Sequence, residues 1–194
     1  MTNEQIEMNE KDFITELTTW CHRDGITDLI KWLQNETDFF TAPASTKYHL
    51  CEAGGLCEHS LNVFTQMENI FDTDEDEMES IAIVGLLHDL CKANFYAIEY
   101  RNKKNEKTGI WEKYPVYTVE DQFPYGHGEK SVYLISKFIK LTDEEAMAIR
   151  WHMGGFDNAV KGGDFGCTKA FEKYPLAVKL HCADMLATYI DEVK

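Results

Sequence analysis

The chain has 194 residues, of which 34 are Asp or Glu and 19 are Lys or Arg, giving a formal net charge of −15. That length suits one domain with a sizeable core, and the ordinary apolar and aromatic content argues against disorder. An acidic surface repels nucleic-acid phosphates and anionic membranes, so a long nucleic acid is disfavoured as a partner, whereas a small phosphorylated ligand at a metal centre is not, because the cation there dominates the local field.

The six cysteines (Cys21, Cys51, Cys57, Cys91, Cys167, Cys182) form no Cys-x-x-Cys pair and no zinc-ribbon spacing, and several lie in apolar helical stretches. Met1 to Glu10 is polar with no hydrophobic run, and no stretch has the roughly 18 apolar residues of a membrane span. These features lead us to expect a reduced, soluble, cytoplasmic protein without a membrane partner.

In chain order, Asn9 to Trp20 reads as a helix, with Phe13, Leu17 and Trp20 at spacings of three and four. Gly25 interrupts it, and Ile26, Leu29, Ile30 and Leu33 form a second amphipathic helix. Thr37 to Lys47 contains Ala-Pro-Ala-Ser and reads as a loop. The Gly54-Gly55 pair marks a tight turn into a helix from about Leu56 to Phe71, with His59 in its first turn. The acidic run Asp72–Glu79 lacks the glycine of a calcium loop and reads as a solvated connection whose carboxylates favour the next helix start. That helix, Met78 to Cys91, is apolar on nearly every face, as a core helix should be, and carries the adjacent pair His88-Asp89.

From about residue 95 to 120, alternation at Tyr96, Ile98 and Tyr100 and again near Val116–Val119 flanks a polar, glycine-containing stretch, which reads as an inserted β-hairpin. Its basic cluster (Arg101, Lys103, Lys104, Lys107) is better read as a solvated hairpin tip than as a nucleic-acid contact. Gly126-His127-Gly128 opens a helix with Val132, Ile135, Phe138 and Ile139 on its apolar face. Thr142-Asp143-Glu144-Glu145 is a capping box for the following helix, which ends at Trp151-His152-Met153-Gly154-Gly155. Gly154 to Cys167 reads as a glycine-rich loop near a site. Pro175 opens a final helix through Ala177, Leu180, Met185 and Ile190, with Asp184 among apolar neighbours.

Buried aspartate and histidine need partners, because an uncompensated charge in an apolar setting is costly. A helix-end Asp beside a satisfied core His explains the His88-Asp89 pair taken alone. Six candidates in order, His59, His88, Asp89, His127, His152 and Asp184, each from a predicted helix or helix end, match the way bundles assemble metal centres. Neutral imidazoles with carboxylates suit Mn, Fe, Ni, Co or Zn better than Ca. Lys92, three residues beyond Asp89, is placed to stabilise phosphate charge, and Lys47, His49, Lys130 and Arg150 are further candidates for contacting an anionic substrate. His22 reads as a helix-end histidine and His181 as a packed or supporting one.

Gly-Gly-Leu-Cys-Glu-His59-Ser, Leu-Leu-His88-Asp89-Leu-Cys-Lys92, Gly-His127-Gly, Trp-His152-Met-Gly and Ala-Asp184 together resemble, in order over about residues 45–190, the HD superfamily of metal-dependent phosphohydrolases. The likeness is to the branch with two extra histidines, which includes HD-type 3′–5′ exoribonucleases and HD-GYP cyclic-dinucleotide phosphodiesterases, although the GYP signature is absent. The resemblance implies a mainly α helical bundle with the hairpin inserted, built as one domain over residues 1–194, with residues 1–44 packed on a core at 45–190. It also implies two divalent transition-metal ions: His59, His88, Asp89 and Asp184 would hold one, and Asp89, His127 and His152 the other, with Asp89 bridging. A metal-bound hydroxide would then attack phosphorus, with Asp89 and Lys92 as the catalytic residues. Cys57 and Cys91 stand beside ligands where aliphatic residues are common in the family, so a soft thiol could tune metal preference or simply pack.

Hydrolysis of a phosphoester in a nucleotide or short nucleic-acid end is the leading expectation. The OB-type module of the exoribonucleases is missing, which together with the acidic charge favours a small nucleotide. Two other readings stay open at this stage: an HD-like mixed-valence di-iron oxygenase resembling myo-inositol oxygenase, and a non-catalytic nucleotide-binding HD domain.

Overall fold

A computed structural model describes residues 1–70 and 77–193. Helices α1 (Asn3–Trp20), α2 (Ile26–Glu36), α3 (Gly55–Ile70) and α4 (Met78–Leu87) precede a hairpin of β1 (Tyr96–Lys104) and β2 (Trp111–Val119). Then follow α5 (His127–Ile135), α6 (Asp143–Trp151), the short α7 (Asn158–Lys161), α8 (Gly166–Lys173) and α9 (Pro175–Leu186). The protein is therefore mainly α with an inserted hairpin, as its patterning suggests.

Helix α4 lies at the centre. Ile81 through Leu87 are all buried, so no face of this helix is left for solvent. It packs against α1, α3, α6 and α9, and α3 and α9 also touch each other. Close approach to α3 is possible because Gly85 has no side chain: a Cβ there would lie 3.0 Å from Phe64 Cα. Phe13, Phe39 and Phe40 fill the end of the core nearest α1, with ring centroids 5.0–5.5 Å apart.

Several boundaries differ from the sequence expectation. Helix α1 begins at Asn3, six residues early, because the Thr2 hydroxyl accepts from the Gln5 backbone N–H and caps it. Helix α4 stops at Leu87, and Leu90–Lys92 form a separate 3₁₀ turn, so His88-Asp89 stand at a helix end rather than within one. The stretch expected as a glycine-rich loop contains a 3₁₀ turn (Gly154–Phe156) and α7, where the Asp157 carboxylate accepts from Ala159 N–H at the helix start. Asp72 to Asp76 of the acidic run, and Phe71 at the expected end of α3, lie outside the described residues. No helix among the described residues is long and apolar enough to cross a membrane.

The hairpin pairs Tyr96 with Val119 through Lys104 with Trp111. Its basic residues Arg101, Lys103, Lys104 and Lys107 are all exposed. No disulfide links any of the six cysteines.

At the start of α5 the backbone runs so close to the end of α6 that a Cβ on Gly128 would sit 2.3 Å from Arg150 O. Gly128→Ala is therefore expected to push the two helices apart at a cost of about 1–3 kcal/mol, read as a lowered midpoint in chemical denaturation.

Candidate metal centre

The ends of five helices converge on one spot. Helix α3 contributes its fifth residue, His59, and the end of α4 contributes His88 and Asp89. The first residue of α5 is His127, the residue after α6 is His152, and α9 carries Asp184 in its last turn. All six sequence-selected residues thus meet, although up to 125 positions of chain separate them. His59, His88, Asp89 and His152 are fully or nearly fully buried.

Each imidazole has its Nδ1 engaged. His88 Nδ1–H donates to Gly85 O at 2.9 Å and His152 Nδ1–H to Ile149 O at 2.7 Å, both three residues back on their own helices. His59 Nδ1 meets Glu192 Oε1 at 2.9 Å, and His127 Nδ1 meets the Cys91 sulfur at 3.3 Å. In His88 and His152 the carbonyl partner fixes the proton on Nδ1, so Nε2 carries a lone pair, and the Nε2 atoms of all four rings turn inward on the two aspartates. His59 Nε2 is 3.3 Å from Asp184 Oδ1 and 3.6 Å from Asp89 Oδ2; His127 Nε2 is 2.9 Å and His152 Nε2 3.5 Å from Asp89 Oδ1.

Two contacts set acceptor against acceptor, His88 Nε2 facing Asp89 Oδ2 at 3.6 Å and His152 Nε2 facing Asp89 Oδ1 at 3.5 Å. His88 Nε2 and His59 Nε2 are 3.4 Å apart. Asp89 Oδ1 and His152 Nε2 are buried side-chain atoms without a hydrogen bond, even with His127 Nε2 only 2.9 Å from the former. An unmade buried hydrogen bond costs about 1–3 kcal/mol, so such orphans in a packed core call for an explanation. A divalent cation provides one, since it takes lone pairs from both sides. His59/His88/Asp89, Asp89/His127/His152 and His88/His152/Asp184 are each grouped tightly enough to hold a metal ion, with ligand atoms within 4.8 Å. The residues present therefore fit a metal centre.

The field at the site is uneven. Burial pushes His88 down to about 3, which keeps it neutral and able to ligate. Burial also opposes protonation of His59, but Asp184 and Glu192 more than offset it and lift its pKa to about 9. His127 is raised to about 10, against its burial, by the Cys91 sulfur and the Asp89 carboxylate. Asp89 and Asp184 are likewise opposed by burial, yet both lie below the usual carboxylate range: Lys92 and His88 act on Asp89, and His59 on Asp184.

The predicted cations fare differently. Lys92 reaches the cluster, with Nζ 2.6 Å from Asp89 Oδ2, and lines the pocket above it. Lys130, expected at the substrate, is instead buried away from the pocket, 2.7 Å from Asp121 and over the Phe95 ring. Arg150 lies over Trp151 and is held by Glu129 at 2.5 Å and Asp157 at 2.9 Å, beside a smaller cavity of about 280 Å³. Lys47 is exposed, with Nζ 5.5 Å from the Tyr48 ring centroid, and does not line the pocket. His49 does line it; its Nδ1 is 2.5 Å from Glu192 Oε2 and its ring stands edge-on to His59. His181 donates to His152 O at 2.6 Å, a supporting contact, while His22 is an exposed residue after α1.

Glu192 was missed in the sequence. It is 7% exposed and receives His59, His49 and Asn62 on one carboxylate. Its only sequence signal is weak: it lies eight residues beyond Asp184, in a stretch with polar neighbours.

The chain matches the HD domain family over residues 56–191, more than two thirds of its length. It belongs to that family. HD domains are generally metal-dependent hydrolases and bind divalent metals, in keeping with the clusters described above. Searches of the curated proteins and of the solved structures return no match. The matched span of the HD domain begins in α3 and ends with the π-helical segment Ala187–Asp191 that follows α9, so it contains all six residues of the cluster as well as the hairpin.

Proposed function

We propose that this HD protein is a metal-dependent phosphohydrolase acting on a small nucleotide-like phosphoester. The observation that carries this reading is the convergence of four imidazoles, each fixed through Nδ1, on Asp89 and Asp184, with Asp89 Oδ1 and His152 Nε2 left without hydrogen bonds. His59, His88, Asp89 and Asp184 would hold one divalent ion; Asp89, His127 and His152 would hold the second. Bound there, such ions supply Lewis-acid activation of water and of the phosphoryl group.

The chain's own residues have distinct parts in this scheme. Asp89 faces both histidine sets, one oxygen toward His127 and His152 and the other toward His59 and His88. Lys92 holds Asp89 in that pose and presents its ammonium to the pocket, where it would meet a phosphate oxygen. Glu192 and Cys91 orient His59 and His127 through their Nδ1 protons, as supporting partners of metal ligands do.

Losing such a partner typically weakens metal binding about 10–100-fold. Glu192→Gln and Cys91→Val are each expected to do so, measured by calorimetric titration of metal into stripped protein. In Cys91→Val only one of two binding events should shift, since that substitution touches the His127 side alone.

The proposal is tested by elemental analysis of purified protein together with hydrolysis of bis-p-nitrophenyl phosphate under added Mn²⁺, Co²⁺, Ni²⁺ or Zn²⁺. About two transition-metal ions per chain with hydrolysis supports it. Two irons with O₂ consumption and no hydrolysis under any metal would replace it with an oxygenase, and no metal uptake at all would remove the centre.

A further inference from the structure

The pocket above the cluster has a volume of about 590 Å³, room for a mononucleotide-sized ligand. Its lining is mainly apolar. Tyr48, Phe156 and Tyr189 line it with 80%, 47% and 56% of their surfaces exposed, and Leu50, Met153 and Met185 also line it. Single exposed aromatics need no explanation, but several around one cavity present flat faces on which a planar group can stack.

The charges in the lining are lopsided. Asp89, Asp184 and Glu192 contribute carboxylates, and among the described lining residues Lys92 is the one Lys or Arg, already 2.6 Å from Asp89. Of the other cations that sequence suggested for an anionic substrate, Lys130 is bound to Asp121 and Arg150 to Glu129 and Asp157, while Lys47 stands outside the lining with Nζ 5.5 Å from the Tyr48 ring centroid. A phosphoryl group at the metal centre would be neutralised by the ions and Lys92. A second or third phosphoryl would extend along a lining that supplies no further Lys or Arg and carries the carboxylates of Asp184 and Glu192, which repel it.

We propose that the pocket accepts phosphoesters with a single phosphoryl group attached to a planar or apolar body lying against Tyr48, Phe156 and Tyr189, and rejects nucleoside di- and triphosphates. This rests on the function proposed above and narrows its substrate class. Discrimination comes from what the lining lacks as much as from what it offers.

The experiment compares thymidine 5′-monophosphate p-nitrophenyl ester with dTTP as substrates of the metal-loaded protein, and dTMP with dTTP as ligands by calorimetry. The expected result is a kcat/KM at least about tenfold higher for the ester, and tighter binding of dTMP than of dTTP. Tyr189→Ala should raise KM for the ester about tenfold, the size of one lost stacking contact. Val193→Lys, at an exposed lining position, should improve dTTP binding by supplying the missing cation. Equal or better turnover and binding of dTTP by the unaltered protein would overturn the inference while leaving phosphohydrolase activity intact. Hydrolysis of neither substrate would instead defeat the proposed function, and the calorimetric comparison would then decide the inference by itself.

Discussion

Asp89→Asn is expected to lower hydrolysis by about 10³-fold or more, because in the proposed scheme Asp89 would serve both ions, and metal activation is worth several kcal/mol of barrier, at 1.36 kcal/mol per tenfold. Metal content should fall from about two ions per chain to one or none. The same substitution has a second, opposite-signed partner to consider. Lys92 Nζ lies 2.6 Å from Asp89 Oδ2 with only 14% of its side chain exposed, and Asp89 raises its pKa despite its burial. Removing the carboxylate strands that ammonium, and breaking a buried pair typically costs about 3–5 kcal/mol. Asp89→Asn/Lys92→Met should therefore recover much of the stability lost in Asp89→Asn, measured by urea denaturation, and recover none of the metal binding. Recovery of both would show that Asp89 holds Lys92 and no metal.

Arg23→Ala is expected to be among the most destabilising substitutions outside the metal centre. Arg23 lies in the turn between α1 and α2 and reaches Glu145 on α6 with two short bonds, 2.6 and 2.7 Å. Glu145 is fully buried and also receives the Ser80 hydroxyl at 2.6 Å and the Thr142 backbone N–H at 2.8 Å. Alanine at position 23 would leave that carboxylate buried without its counter-charge, at a cost of about 3–5 kcal/mol. In a chain of this size that corresponds to a fall in Tm of roughly 10 °C.

The pH dependence of that loss follows from the same contacts. Burial raises the Glu145 pKa, but hydrogen bonds from Arg23, Ser80 and Thr142 outweigh it and hold the group below its ordinary 4.5. A carboxylate depressed in the folded state adds stability that is fully present above its unfolded pKa and disappears as pH falls through the folded one. The gap between the native protein and Arg23→Ala should accordingly be widest near neutrality and narrow below about pH 4.5. A gap that stays constant down to pH 3 would mean that Arg23 acts by packing rather than by charge.

Much of the local structure was legible in the residues. The all-round apolar α4 could only be a central helix, the Thr142–Glu145 capping box forms as its pattern requires, and the hairpin appears where alternation flanks a glycine-containing turn. All six cluster residues were also visible, since an Asp or His at a helix end among apolar neighbours is costly unless it has a partner. These features depend on neighbours a few positions away, which a sequence displays directly.

What the tertiary structure alone decided concerns partners distant in the chain. Glu192 meets His59 across 133 positions, and nothing near it in sequence marks it as buried. Lys130 and Arg150 look like free cations in sequence, but each is held by carboxylates that the fold brings to it, Asp121 in one case and Glu129 with Asp157 in the other. The sequence by itself picked out six side chains that need a partner when buried, because their cost of burial is intrinsic to residue type and local context. Which nitrogen of each histidine faces inward, which cations remain for a ligand and how apolar the pocket walls are depend on contacts among helix ends brought together only by packing around α4.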